Sequence, residues 1–238
     1  MAENSSQLSA RLHTLWREPD YYSFFEKYAK RPARKYKKGS ALFYEGDIPN
    51  KIYFIRKGYV KLFRISEAGR DAAIYLYGPG SILGVRAIVS KEGVFRYSTE
   101  TLTDCEINTV SREEYLKILS ENPEYIIDLM HMFIQRLNNA ERKLEGFILT
   151  DAAARIASFL ADCAKRFGEK KGKDIVIPLP LTHQKIADFI GAFRETATIA
   201  INKLEHENII TIKGGVVTIH NLKKLEKKTQ IQDLLPKE

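Results

Sequence analysis

Short apolar runs broken by glycine fill residues 37–110. They are rich in Ile, Val, Tyr and Phe, and they read ALFYEGD, KIYFIRKGYVKLFRI, AAIYLYGPGSILG and YSTETLTDCEINTV. Runs of β-branched and aromatic residues separated by glycine are typical of strands joined by turns. Many short strands at this spacing favour a sandwich or a barrel.

The pattern changes to a helical one after Ser111. The stretch SREEYLKIL has a serine cap with acidic residues in the first turn, and Pro123 then opens a longer helix. Apolar residues in that helix step alternately by four and by three: Ile126, Met130, Phe133, Leu137, Ala140, Leu144 and Phe147. This is a coiled-coil seam of about three heptads, which predicts a homodimer. The alternative is a helix whose apolar stripe packs on its own domain.

Two helical patterns and a hairpin end the chain. Residues 151–167 are predicted to form a further amphipathic helix. The segment GEKKGKD that follows is predicted to be a basic loop, and IVIPLP a short strand. The segment LTHQKIADFIGAFRETATIAINKLEHENII contains two helices separated by a turn at Gly191, and ITIKGGVVTIH is a hairpin turning at Gly214-Gly215. A capped helix, a glycine turn, a second helix and a hairpin indicate a winged helix-turn-helix that binds DNA.

The second of these helices begins near Phe193 and carries Arg194, Glu195, Thr196 and Thr198 in its opening turns. Arginine can bind guanine O6 and N7, and glutamate can accept a hydrogen bond from cytosine N4. We therefore expect Arg194 and Glu195 to read a G·C-containing step; the alternative is a solvated helix start. Phosphate contacts are expected at the entry of the first helix and from nearby lysines, namely Thr182, His183, Gln184, Lys185, Lys203 and Lys213.

Composition agrees with a polyanion partner. The 238 residues carry a formal net charge of +8, which favours nucleic acid without requiring it. The chain has no long apolar run and no secretory signal pattern, so we expect a cytoplasmic protein without a membrane partner. The two cysteines and five histidines show no metal-ligand spacing, and no phosphate loop or nucleophile pattern predicts an enzyme.

The helix-turn-helix segment resembles that of the cyclic-AMP receptor protein and fumarate-nitrate reduction regulator (Crp/Fnr) superfamily of bacterial transcription regulators. That family shows a Thr-x-x-x-hydrophobic-Ala start, a glycine turn and Ser-Arg-Glu-Thr-Val. The run KKGSALFYEGDIPNKIYFIRKGYVKLFRISEAGRDAAIYLYGPGSILG is similar to the family's cyclic-nucleotide-binding-type jelly roll. The resemblance covers residues 20–222.

The resemblance implies an α+β protein in three parts. Residues 1–122 would form an N-terminal helical segment and a jelly-roll sensor domain, 123–150 a dimerisation helix and 151–238 a winged helix-turn-helix domain. It further implies a dimer on a palindromic double-stranded DNA operator, with RNA polymerase as a partner if the protein activates transcription.

Several positions depart from the family. Phe193 replaces a common serine. Ile199 stands where the cyclic-AMP receptor has a second base-reading arginine, so the resemblance places Ile199 among the expected DNA-binding residues, together with Thr196 and Thr198. Gly84-Val85 replaces the Gly-Glu pair that binds ribose in the family. Arg96-Tyr97 replaces the Arg-Ser or Arg-Ala pair that binds phosphate, and Ala140-Glu141 replaces the Thr-Ser pair that contacts adenine. We therefore predict no tight cyclic-AMP binding.

The sequence leaves the identity of the effector open. No cysteine precedes Cys105, which excludes the iron–sulfur branch of the family, and no cofactor is expected. Another small molecule could occupy the barrel, with Arg86 or Arg96 binding an anionic group and with walls from Tyr75, Tyr77, Phe95, Tyr97 and Leu137. The alternatives are an empty barrel, a jelly-roll enzyme and a cyclic-nucleotide-binding module that regulates a partner protein. The absence of histidine from residues 37–110 disfavours the enzyme, because such an enzyme would need clustered histidines to bind a metal.

Overall fold

The structure is a computed structural model that describes residues 32–229 apart from residues 68 and 70. The helical segment expected near the N-terminus lies outside these residues. The described chain has an α+β fold with a β jelly roll, a long helix and a winged helix-turn-helix.

Two sheets form the jelly roll. Strands β1 (Arg34–Tyr36), β7 (Cys105–Ser111), β2 (Lys51–Lys57) and β5 (Ile82–Leu83) pair in that order, and β4 (Asp71–Tyr77), β3 (Val60–Ile65) and β6 (Ser98–Thr101) form the other sheet. All the pairings are antiparallel. Ile55, Val60 and Ile107 are fully buried in one cluster, so the apolar runs of the sequence supply the core.

The run ALFYEGD was expected to be a strand, but residues 41–47 are irregular. Side chains accept several of their backbone N–H groups: Thr99 Oγ1 accepts from Leu42 at 3.0 Å and from Phe43 at 3.2 Å, and Ser98 Oγ accepts from Glu45 at 3.0 Å. Side-chain acceptors of this kind compete with a strand ladder. The strand at this end of the sheet is β1, at Arg34–Tyr36.

Three helices follow the strands or interrupt them. Helix α1 (Val85–Val89) lies between β5 and β6, whereas α2 (Arg112–Glu121) and α3 (Glu124–Leu149) follow β7. The predicted serine cap is confirmed, because Ser111 Oγ accepts from the Glu114 N–H at 3.1 Å. The long helix begins directly after Pro123, as expected.

The C-terminal domain contains α4 (Ala152–Phe167), α5 (His183–Ile190), α6 (Arg194–His206) and α7 (Leu222–Lys227). Its sheet has the order β10 (Ile210–Lys213), β11 (Val216–Ile219), β9 (Asp174–Ile177) and β8 (Glu169–Lys171). The predicted hairpin at Gly214-Gly215 is confirmed by the pairing of β10 with β11. The GEKKGKD segment, expected to be a loop, instead pairs as β8 and β9; β8 is exposed throughout and so has no apolar alternation to signal it.

Strand β4 lies between the barrel interior and the C-terminal domain. Ala73 and Leu76 are buried in the same cluster as Leu160 and Ile186 of that domain. The guanidinium of Arg166 in α4 donates to the Leu76 carbonyl oxygen at 2.8 Å. The two domains therefore share an apolar contact that runs along this strand.

Candidate DNA-reading surface and barrel cavity

Helices α5 and α6 hold the candidate recognition surface. Thr182 Oγ1 caps α5 by accepting from the Lys185 N–H at 3.2 Å, as the sequence predicted. Gly191 ends α5 with φ of 63°, a left-handed conformation that favours glycine. Ala197, Ile201 and Leu204 of α6 are buried against the α5 face, so the opposite side of α6 is exposed.

The residues expected to read bases lie on that open side. Arg194, Glu195 and Thr196 are exposed in the first turn of α6, and Lys203 is exposed two turns later. Thr198 is half-buried and its hydroxyl lies 3.1 Å from His183 Nδ1. This contact ties the start of α5 to α6.

The remaining candidate phosphate contacts are divided between two surfaces. Thr182 and Gln184 are exposed at the start of α5, where Gln184 Nε2 donates to Asp188 Oδ1 at 2.8 Å. Lys213 is exposed beside the hairpin turn, and the Leu181 N–H donates to the Gly215 carbonyl at 2.7 Å. Lys185 is half-buried instead, and burial lowers its pKa, partly offset by Glu100 of the barrel. Lys185 thus faces the barrel in this conformation.

Two large apolar side chains stand among these polar groups. Phe193, at the N-cap of α6, is 61% exposed, and Ile199 is 73% exposed. Both positions depart from the family pattern, as noted above. Ile199 was among the residues expected to contact DNA, and its exposure leaves it accessible for such a contact, whereas Phe193 was not among them.

A cavity of about 720 Å³ opens between the jelly roll and the long helix α3. Its walls are mainly aromatic and aliphatic, and the residues that line it include Phe43, Leu62, Tyr75, Tyr77, Phe95, Tyr97, Phe133 and Phe147. The aromatic residues expected around an effector therefore lie together. A volume of this size is typical of a small-molecule site.

The charged groups of the cavity wall are mostly cations. Arg96 Nε forms an ion pair with Glu92 at 3.1 Å, and Lys143 Nζ donates to the Ile74 carbonyl at 2.9 Å. Burial lowers the pKa of Lys143. Arg86 lies 5.9 Å from the ring of Tyr97, and none of the described residues forms an ion pair with it. Of these three cations, Arg86 is therefore the one best placed to bind an anion.

The candidate effector residues separate into two groups. Gly84, Arg86, Arg96, Tyr97, Leu137 and Ala140 line the cavity, whereas Val85 and Glu141 do not. The Val85 side chain is 1% exposed and packs in a core cluster with Ile52 and Tyr115. Glu141 is exposed on the outer side of α3. Neither residue brings a polar group into the cavity.

The predicted seam of α3 divides in the same way. Five of its residues line the cavity: Phe133, Leu137, Ala140, Leu144 and Phe147. Ile126, Met130, Leu137, Leu144 and Phe147 are each at least 45% exposed. Four residues of the helix outside the predicted seam reach the same exposure: Ile127, Ile134, Ile148 and Leu149. The helix therefore presents a second apolar stripe that the described chain leaves uncovered.

Polar groups of strands β3, β4 and β6 face the helix-turn-helix across the domain contact. Lys61 is 4% exposed and binds Asp71, with Glu100 at 3.0 Å. Burial alone would lower the pKa of Lys61, but the two carboxylates outweigh it and raise that pKa. Burial also raises the pKa of Asp188 on α5. The contact therefore contains a polar cluster, in which Lys61 is buried and its carboxylate partners are half-buried, beside an apolar cluster.

Neither a metal centre nor a membrane span is found in the part of the chain that the structure describes. No three His, Cys, Asp or Glu side chains there come close enough to share an ion. No helix of the described residues has the length and apolar character that crossing a bilayer requires.

Comparison with known proteins gives the same two-domain pattern. Residues 33–122 match the cyclic nucleotide-binding domain family and residues 154–228 match the Crp-like helix-turn-helix domain family. A global nitrogen regulator from Synechocystis sp. is 31% identical over 77% of this chain and 82% of its own length. A CRP-like cAMP-activated global transcriptional regulator from Mycobacterium tuberculosis is 28% identical over 81% of this chain and 86% of its own length.

Solved structures share the fold. FixK2 from Bradyrhizobium japonicum superposes with a TM-score of 0.73 at 21% identity, covering 83% of this chain and 96% of its own. A CRP/FNR family transcriptional regulator from Thermus thermophilus gives a TM-score of 0.69 at 25% identity, and the match covers 83% of this chain and 97% of that one.

Proposed function

The chain belongs to the Crp/Fnr superfamily of transcription regulators, and we propose that it is a dimeric regulator that binds a palindromic operator under the control of an anionic, largely apolar effector. The observation that carries the proposal is the open side of α6, where Arg194 and Glu195 are exposed in the first turn. The hairpin β10–β11 beside α5 supplies the wing. Catalysis forms no part of the proposed function.

Dimerisation is supported by the uncovered stripe of α3. Large apolar side chains exposed at helical spacing favour association with a second copy, which would bury them. A two-fold dimer would then present two α6 helices to half-sites about 34 Å apart, one turn of DNA. The operator would consequently be a palindrome with that spacing.

Selection of genomic DNA fragments by the purified full chain tests the DNA-binding proposal. At fixed, near-physiological salt we expect enrichment of a palindrome whose half-sites contain a G·C step one helical turn apart. Repeating the selection with a cell extract shows whether an effector is required. If nothing is enriched under either condition, sequence-specific binding is excluded.

The cavity supports an aromatic or aliphatic anion as the effector rather than cyclic AMP. Its walls are mostly apolar, and Arg86 is available to bind a carboxylate or phosphate. Val85 is buried in the core and offers no acceptor to ribose hydroxyls. A nucleotide would therefore lose its usual polar partners in this cavity.

Thermal unfolding with a panel of aryl carboxylates, their neutral amides and cyclic AMP tests the effector class. We expect some carboxylates to raise the melting temperature and their amides to have little effect, because only the acid can pair with Arg86. Arg86→Ala should remove the shift, and Arg112→Ala, on the exposed start of α2, should retain it. A shift from cyclic AMP alone would overturn this assignment.

The domain contact gives a route from effector to operator. Tyr75 and Tyr77 of β4 line the cavity, whereas Ala73 and Leu76 of the same strand are buried with the C-terminal domain. Phe147 of α3 also lines the cavity, and its ring packs against Gly191 at the end of α5. A Cβ atom at Gly191 would lie only 3.0 Å from that ring. An occupant that shifts β4 or Phe147 would therefore move α5 and α6.

A further inference from the structure

Ile199 lies on the exposed side of α6, the side that the proposed function turns toward DNA. It follows Glu195 by four residues on the same helix face, and the next exposed residues on that face are Asn202 and Lys203. Its neighbours Ala200 and Ile201 are buried in the domain core. A single exposed isoleucine is ordinary on a protein surface, but this one lies in the centre of the proposed reading surface.

The helical rise sets which base pair Ile199 can reach. Four residues advance about 6 Å along a helix, and successive bases of a strand are about 3.4 Å apart. With α6 along the major groove, Ile199 would face a base pair about two steps from the one that Glu195 contacts. The two side chains therefore address different positions of one half-site.

The chemistry of isoleucine then restricts the base. An aliphatic side chain cannot donate or accept a hydrogen bond, so opposite the edge of a G·C pair it would leave polar groups without partners. Thymine is the base whose major-groove edge carries a methyl group. We propose that Ile199 selects a thymine in each half-site through contact with its 5-methyl group. This inference rests on the proposed function of the same surface.

Replacing thymine by uracil tests it, because uracil lacks only the methyl group and keeps the same hydrogen-bonding edge. The full-length protein is titrated with the selected operator and with duplexes in which each thymine pair is replaced in turn. Loss of a buried methyl weakens binding about fourfold per half-site, or about fifteenfold for a symmetric replacement in both. We expect this loss at one thymine position, about two base pairs from the G·C step.

Variants of the protein identify the contact. Ile199→Ala should bind the thymine and uracil operators with equal affinity, because its side chain no longer reaches the methyl. Ile65→Ala is the matched control, since Ile65 is also exposed, at 61%, but lies on the barrel strand β3. It should retain the full preference for thymine.

The outcomes separate this inference from the one on which it depends. If an operator that requires Arg194 is selected, but no thymine is preferred or Ile199→Ala keeps the uracil penalty, the thymine assignment is overturned and the regulator proposal stands. If no operator is selected at all, both are overturned.

Discussion

Arg194→Ala is expected to lower the affinity of the proposed dimer for its selected operator by roughly 30-fold to 10⁴-fold. A bidentate arginine contact with guanine contributes about 1–3 kcal/mol, and a palindrome contains the contact twice. Arg194 is exposed and lies outside the domain core, so the variant should fold normally. Fluorescence anisotropy with the selected operator and with a scrambled duplex, at one salt concentration, measures the loss.

Lys203→Ala gives the matched comparison, because Lys203 lies on the same helix as a candidate phosphate contact. Its removal should weaken binding to both duplexes by the same factor and reduce the salt dependence of binding by about one counterion per protomer. Arg194→Ala should instead weaken operator binding and leave the scrambled duplex nearly unchanged. An equal loss on both duplexes would mean that Arg194 binds phosphate and reads no base.

Local signals in the sequence predicted much of the fold. The caps at Ser111 and Thr182 and the turn at Gly191 were confirmed because each depends only on residues within one or two helical turns. The irregular segment 41–47 and the strand β8 were predicted wrongly for the opposite reason. Thr99 lies more than fifty residues from the backbone that it binds, and β8 is an edge strand without an apolar face.

The sequence predicted the exposed residues of α6 better than the surroundings of α3. Arg194 and Glu195 follow from helical spacing, because buried residues on one side of α6 leave them on the other. The heptad pattern of α3 gave a single seam, whereas the structure divides its apolar residues between the cavity and an outer stripe. A periodic pattern gives the angular position of residues about a helix axis but not what each side contacts. Ile134, outside the predicted seam, is therefore the better residue with which to test dimerisation.

Ile134→Glu is expected to weaken dimerisation by roughly 10²-fold to 10⁴-fold. The substitution would place two carboxylates, one from each protomer, in an apolar interface. Burial of a single unpaired charge already costs about 3–5 kcal/mol, so this range is a lower bound. Ile134 is 51% exposed within the described chain and does not line the cavity, so the monomer should keep its fold and its melting temperature should fall little. Light scattering at micromolar concentration should then give the monomer mass, and the palindrome should bind no more tightly than an isolated half-site.

Leu116→Glu is the matched control for this variant, because it places the same carboxylate on another exposed aliphatic position. Leu116 is 40% exposed and lies on α2, outside the stripe of α3, so this variant should remain dimeric. Dissociation of both variants would mean that the added charge, and not its position, breaks the dimer. Retention of the dimer by Ile134→Glu would place the dimer contact on another surface and leave the outer stripe of α3 for a different partner.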